Sequence, residues 1–506
     1  MNRITHALTI GVMPLLLWTA TFAQDGNPPP QPLPPAPMNL FSPAALPQGA
    51  TVLSQAKTSQ PVLPELDVLR SANPGTRIIL NLGPGAEWIM LVTKVERRSP
   101  ESFSVFGTID GLEASSVVMA VEGDALASDI TAPPVGLHYK TKYAANGVHF
   151  ISEMDDSLYA PCGGAKPAAL GIGGGEDFVP EAGELEGIDP LAPQPAPEGA
   201  CAAPQVVFDM MIIYTNLARV AAGGTSAIQA ECQLSIDRAN ESYRNSSIGA
   251  RMRLVSRYEI TYDEVGTYHD HLDRLTGTND LGGAAPWTTA RNNRDTNNAD
   301  FCTVFVADGE FCGLAWLNSA TNRAYSVVTW SCAAGDLTYA HEIGHNQGCH
   351  HDPANTDPTD NPAYSYSFGH RFFGTNNVQY RTVMAYAPGE RVPHFSNPSV
   401  NYQGTATGTA TRDNARTLQN RKVTCANFET TRWDIWVDFG YIGFEFGIHN
   451  FPYNSVGEGI ANLDNWVAGA SEYPNLYIKQ GTSNFTGTIN KVMTIIPCGG
   501  PVTLGN

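Results

Sequence analysis

Apolar residues follow two different rhythms along this chain. Between residues 77 and 151 they form short runs: Arg77–Leu82, Trp88–Val92, Phe103–Phe106, Ser116–Val121 and Val148–Ile151. Such runs, rich in Val, Ile and Phe and separated by Gly, Ser and Asn, predict the short strands of one small β-domain. From residue 206 the pattern changes. Val206–Thr215 is a near-continuous apolar run, as expected of a strand covered on both faces. Ile228, Cys232, Leu234, Ile236 and Ala239 recur at helical spacing and predict a helix over Ser226–Ser242. Ala250–Tyr258, Phe301–Ala307, Cys312–Leu317 and Tyr325–Val328 read as further strands, with a second helix near His341. This mixture is an α/β layout. Beyond Trp433, Gly-rich and aromatic segments alternate with two short strands, Tyr477–Lys479 and Met493–Ile496.

Punctuation between these regions suggests domain limits. Residues 27–37 are a Pro-rich stretch, and residues 171–204 combine a Gly run with repeated Pro and acids, the composition of a flexible, protease-accessible linker. The start of the chain reads as a secretory signal. Arg3 precedes the apolar run Ala7–Trp18, and Thr21-Phe22-Ala23 offers a cleavage site before Gln24. The expected division is a signal peptide over 1–23, a β-rich segment over 24–200, an α/β domain over 201–430 and a small β-module over 431–506. No later stretch is long and apolar enough for a membrane helix, so the expectation is a soluble secreted protein.

The formal charge of −19 argues against nucleic acid or an anionic membrane as a partner. The nine cysteines suit an oxidising destination. No C-x-x-C pair is present, which speaks against a cysteine zinc ribbon or a thioredoxin-type site. Setting Cys162 aside leaves eight cysteines, an even number able to form four disulfides.

The chemistry is concentrated in His341-Glu342-Ile343-Gly344-His345-Asn346-Gln347-Gly348-Cys349-His350-His351-Asp352. On a helix, His341 and His345 share one face and both imidazoles reach a single ion. Glu342 stands beside the first ligand, where it can act as the base for a metal-activated water. Gly348 permits the left-handed turn that brings His351 back as a third ligand. Three His ligands leave one position open, as a catalytic zinc site requires. A structural Ca²⁺ is possible but no motif here calls for one.

Downstream, Thr382-Val383-Met384-Ala385-Tyr386 resembles the Met-turn of the metzincin zinc peptidases, in which the Met lies beneath the zinc-binding histidines. Val206–Phe428 as a whole resembles the bacterial peptidyl-Asp metallopeptidases, related to the reprolysin (adamalysin) group. The resemblance rests on Tyr214-Thr215, Asn240, Cys312–Trp316, His341–Asp352, the Met-turn, Phe395–Pro398 and Asn414–Arg416. The Met-Ala-Tyr turn departs from the reprolysin form. The resemblance implies an α/β metzincin-type catalytic domain; the apolar runs before it would then belong to a β-rich propeptide domain. Phe451–Asn454 with Leu476–Pro501 resembles the opening coils of right-handed parallel β-helices, which implies a β-helix-like C-terminal module.

It also implies roles. Met384 is the structural Met of the turn. Tyr386 is either a hydrogen-bond donor to the developing oxyanion or an ordinary buried Tyr. Gly313, Leu314 and Ala315 belong to the candidate edge strand Gly313–Leu317, on which an extended peptide substrate pairs. Residues Ala387–Phe395 would wall the pocket for the residue just after the cut bond. A taste for acidic residues there needs a cation, and Arg381 or Arg391 could supply it, although either could be a solvated surface Arg.

The function expected is a secreted zinc endopeptidase made as a zymogen and acting on proteins or peptides. The alternatives are an inactive peptidase fold used for adhesion and a polysaccharide-active protein led by the tail. Cys162, the sole cysteine of the 24–200 segment, is a candidate latency switch at the open metal position. Its other reading is a disulfide, with latency purely steric. The C-terminal module is either an accessory binding unit or a stabilising cap.

Overall fold

The computed structural model describes residues 37–167 and 205–505, apart from residues 280, 357–359, 361, 431, 446, 448, 450, 451, 468 and 469. The candidate signal peptide, the 171–204 linker and Cys201 lie outside the described residues.

The first sheet has ten strands. Its sequence-adjacent strands from Arg77–Gly83 to Val148–Met154 pair antiparallel, one hairpin after another. Met38–Asn39 joins one end and Phe41–Pro43 the other. These two segments are separated only by Leu40, so the sheet curls until its ends meet, which removes its open edges. The strands are longer than the short runs predicted, with Ala86–Ser99 spanning 14 residues. Ala56–Pro64, Ala125–Ala132 and Leu137–Ala145 are strands that the hydrophobic pattern did not reveal. Their polar positions (Lys140, Ser128, Asp129) are buried by partners distant in sequence.

Ser116–Glu122 explains its own continuous apolar pattern. Val117, Met119 and Val121 face the interior of the curled sheet. Val118 and Ala120 face outward, against Ala230 and Leu234 of the helix Thr225–Asn245. That helix is covered on both sides. Ile228, Cys232, Ile236, Ala239 and Tyr243 pack into the core of the second sheet. Its buried charges are matched from the first sheet. Lys140 Nζ lies 3.0 Å from Glu231, Arg238 Nε 2.8 Å from Asp129, and the Ser104 hydroxyl donates to Asp237 at 2.6 Å. Truncating one partner of such a buried pair is expected to cost about 3–5 kcal/mol.

The second sheet runs in the order Ala165–Pro167, Gly313–Leu317, Tyr325–Thr329, Phe301–Val306, Val206–Thr215, Ala250–Ile260. Gly313–Leu317 is antiparallel to Tyr325–Thr329, and every other pair is parallel. The apolar run of Val206–Thr215 therefore reflects a central parallel strand with both faces covered. After Pro167 the next described strand of this sheet is Val206–Thr215, yet Ala165–Pro167 pairs with Gly313–Leu317 at the far edge.

At the C-terminus, Asp434–Val437, Asn475–Ser483 and Thr494–Leu504 form a three-stranded parallel sheet over Val456, Ile460 and Leu463. Arg253 Nη1 reaches Asp434 at 2.8 Å, and Arg251 grips Glu472 through both terminal nitrogens, at 2.6 and 3.0 Å.

Four disulfides are not formed among the described residues, which hold one, Cys312–Cys332. Cys232, Cys302, Cys349 and Cys425 are buried thiols in the two cores flanking the second sheet, where a thiol packs as a small hydrophobe.

Candidate metal centre

His341 and His345 lie on the helix Thr338–Asn346. Asn346 anchors its end by donating to the Trp316 carbonyl at 2.9 Å and the Tyr325 carbonyl at 3.2 Å. Gly348, with φ of +93°, then reverses the chain and returns His351 toward the helix. The three Nε2 atoms converge, at 2.9 Å between His345 and His351 and 3.2 Å between His341 and His351.

The protons on these rings follow from their other nitrogens. His341 Nδ1 lies 2.8 Å from the Val383 carbonyl, His345 Nδ1 2.8 Å from the Cys349 carbonyl, and His351 Nδ1 3.3 Å from the Asn355 carbonyl. A carbonyl only accepts, so each Nδ1 carries the hydrogen and each Nε2 presents a lone pair. Burial first, and then repulsion from neighbouring imidazoles (His350 in the case of His345), push all three below their usual pKa, His345 to about 3, so they are neutral. Three lone pairs with no proton between them repel unless a cation sits at their focus. Tetrahedral zinc with Zn–N near 2.1 Å would separate its nitrogens by about 3.4 Å, close to the observed spacing. The donor set fits zinc.

A fourth donor arrives from far away in sequence. Cys162 Sγ lies 3.8 Å from His351 Nε2 and 3.4 Å from Glu342 Oε1. The ligand atoms of Cys162, His341, His345 and His351 all fall within 4.8 Å of one another. Among the described residues this is the sole such cluster of metal-binding side chains. Among the described residues Cys162 pairs with no other cysteine. Burial first, and the Glu342 carboxylate second, push its thiol well above its usual pKa when no cation is present.

Glu342 is fully buried. Burial raises its pKa well above the carboxylate range, opposed first by the hydrogen bond from Cys162 and then by the charge of Arg391. Gly313 passes directly over it, and a Cβ on Gly313 would collide with the Glu342 side chain. The candidate strand Gly313, Leu314, Ala315 therefore runs beside the carboxylate, but its outer side is taken. Ala165–Pro167 pairs with it in parallel, and Gly163 N donates to the Gly313 carbonyl at 2.8 Å.

Met384 lies beneath the helix. A Cβ at Gly344 would come within 2.6 Å of Met384 Sδ, so only glycine lets the turn approach this closely. Tyr386 packs at a tilt against His351, with ring centroids 4.2 Å apart, and its hydroxyl donates to the Cys162 carbonyl at 3.2 Å. Asp352 ties the His351 turn to the Met-turn, accepting from Tyr386 N at 3.1 Å and from Arg371 at 2.7 Å.

Arg381 and Arg391 are not solvated surface side chains. Both are largely buried behind the Met-turn and share Asp336, at 3.4 and 2.9 Å. Burial and the neighbouring Arg391 lower the Arg381 pKa to about 10. Asp156, from the 24–200 segment, lies in the field of both. Asp352 belongs to the motif that carries the resemblance, and its tie to the Met-turn is what the structure adds. Asn346 sits inside the same motif without a role legible from sequence, and Asp336 carries no local signal.

Comparisons with known proteins agree with this geometry. Residues 205–396 match the family description "Metallo-peptidase family M12". A peptidyl-Asp metalloendopeptidase of Xanthomonas campestris is 31% identical over 328 residues, which is 63% of this chain and 72% of that protein. One from Stenotrophomonas maltophilia is 35% identical over 224 residues, 43% of this chain and 52% of its own length. One from Pseudomonas fragi is 30% identical over 194 residues, 38% of this chain and 99% of its own length. The match thus spans about half of the Stenotrophomonas relative and nearly all of the Pseudomonas one.

Proposed function

This chain belongs to the metallopeptidase family M12, alongside the peptidyl-Asp metalloendopeptidases, and from that premise we propose that it is a secreted zinc endopeptidase held latent by its own 24–200 segment. The observation that carries the reading is the convergence of three proton-free Nε2 atoms beside one buried carboxylate, with the strand Gly313–Leu317 alongside, which becomes a sheet edge once residues 163–167 leave.

His341, His345 and His351 would hold the zinc ion, which would supply Lewis acidity, lowering the pKa of water to about 7 and polarising the peptide carbonyl. Everything else falls to side chains and backbone. The strand Gly313–Leu317 hydrogen-bonds an extended substrate and sets it across the cleft. Glu342 takes the proton of the attacking water and passes it to the leaving amine nitrogen. Tyr386 turns its hydroxyl from the Cys162 carbonyl to the substrate carbonyl oxygen once the 24–200 segment has left. Arg391 and Arg381, behind the Met-turn, favour an acidic residue just after the cut bond, in keeping with the peptidyl-Asp name of the relatives.

Latency is twofold in this reading. Cys162 takes the fourth position about the metal, and residues 163–167 lie along the strand that a substrate needs. The C-terminal module acts as a cap, because Asp434 and Glu472 engage Arg253 and Arg251 of the Ala250–Ile260 strand. The test is casein hydrolysis by the processed protein, with and without a chelator, together with metal analysis. We expect about one zinc per chain, activity abolished by the chelator, and a Glu342→Gln variant that keeps its zinc but loses roughly 10²–10⁴-fold in rate. A zinc-free active protein, or substantial activity in Glu342→Gln, would overturn the reading.

A further inference from the structure

The segment that fills the cleft also fills a side-chain pocket beyond the metal. Four residues after Cys162, Lys166 pairs with Trp316 of the edge strand. At about 3.3 Å per residue this lies roughly 13 Å from the metal cluster. Lys166 Nζ lies 2.6 Å from Asp273 Oδ1 and 4.8 Å from the centroid of the Trp316 indole. Asp273 belongs to the helix Tyr268–Thr276, and its side chain is 6% exposed.

The pocket is built from the catalytic portion of the chain and is held in shape without Lys166. Thr278 Oγ1 donates to Asp273 Oδ1 at 2.6 Å, and Asn279 Nδ2 donates to Oδ2 at 2.7 Å. The Trp316 ring is fixed by its Nε1 donating to Thr276 Oγ1 at 2.8 Å, with the Arg323 guanidinium 4.6 Å from its centroid. A preorganised carboxylate beside an aromatic ring is a receptor for an alkyl ammonium, which gains a charge-assisted hydrogen bond and a cation–π contact together. Losing Lys166 leaves that carboxylate without its cation, a condition that a substrate side chain can relieve.

Direction rests on the proposed reading that Arg381 and Arg391 face the residue just after the cut bond. Ala165–Pro167 pairs along Ala315–Leu317 and so carries Lys166 past the metal cluster along the strand, whereas Asp156, before Cys162, lies in the field of the two arginines. We propose that Asp273, Trp316, Thr278 and Asn279 form a subsite that selects a basic residue, lysine foremost, several positions before the cut bond, and that Lys166 occupies it in the latent chain. The proposal rests on the endopeptidase reading. It makes the preferred substrate a dipolar segment, basic upstream and acidic immediately downstream.

The test uses the processed protein and a peptide series with Asp after the cut bond. A single Lys is moved through positions two to five before that bond, against an all-Ala parent, with Glu as a control. We expect kcat/KM to rise on the order of tenfold at one position for Lys, to fall for Glu there, and to show no such maximum in Asp273→Asn. Trp316→Leu should weaken the preference for Lys without abolishing it. Equal hydrolysis of the Lys and Ala peptides at every position overturns the subsite while leaving the peptidase reading intact. An unchanged Lys maximum in a folded Asp273→Asn enzyme overturns it also. Failure to cut any peptide would instead strike the endopeptidase reading, and the subsite with it.

Discussion

Cys162 Sγ lies 3.4 Å from Glu342 Oε1, although 180 residues separate them. The thiol that lies beside the three imidazoles thus also touches the proposed base, and in the latency proposed above one residue would obstruct both the open metal position and the proton path. Cys162→Ser in the unprocessed chain is expected to raise casein hydrolysis at least about tenfold over the parent, since a hydroxyl is a far poorer zinc ligand than a thiolate. In the zinc-loaded parent, Cys162 should resist alkylation until a chelator is added. A variant precursor as inert as the parent would point to steric latency from residues 163–167 alone.

Gly313 is required by its neighbour rather than by its own backbone. A Cβ there meets the Cγ, carboxyl carbon and Oε1 of Glu342. Gly313→Ala should destabilise the chain by about 1–3 kcal/mol and displace the carboxylate, lowering activity. In a Glu342→Ala background the atoms in the way are gone, and most of the destabilisation should disappear. Urea unfolding of the four proteins reads this directly, and an additive outcome would mean that the strain lies elsewhere.

Arg391 is the better placed of the two cations for substrate selection, because its charge acts on Glu342 and Tyr386 as well. Arg391→Met is expected to reduce the ratio of kcat/KM for Asp over Ala just after the cut bond by roughly tenfold. Most of the loss should fall on the Asp peptide. Should both peptides decline equally, Arg391 would be a packing residue of the Met-turn wall and no more.

His138 gives the latent chain a pH dependence. Burial lowers its proton affinity, but Asp156 on Nδ1 at 2.6 Å and Asp129 on Nε2 at 2.9 Å prevail and raise its pKa to about 10. The unfolded value is near 6.5. A raised folded pKa yields stability that is complete below about pH 6.5 and is lost as pH rises through about 10. His138→Gln in a Glu342→Gln chain should therefore cost most stability at pH 6 and least at pH 10. Urea midpoints at pH 6, 8 and 10 check this, and a cost that grows with pH would contradict the assignment.

Much was legible from residue order alone, and the reason is locality. His341, Glu342, His345, Gly348 and His351 lie within 11 consecutive positions, so helix geometry and one permissive glycine suffice to bring their side chains together. The apolar run Val206–Thr215 likewise announced a doubly covered strand, because burial on both faces erases alternation. Tertiary structure decided whatever depends on contacts between distant segments. Cys162 meets His351 across 189 residues, Ala165–Pro167 joins the sheet edge by main-chain pairing that any sequence can make, and Lys166 finds Asp273 across 107. Arg381 and Arg391 looked like surface residues because nothing nearby in sequence shows that Asp336 waits in the core. The sheet strand Leu137–Ala145 was hidden for the same reason: Lys140 and His138 interrupt its apolar pattern, and only their carboxylate partners, the buried Glu231 and Asp129 and the exposed Asp156, make those charges tolerable inside.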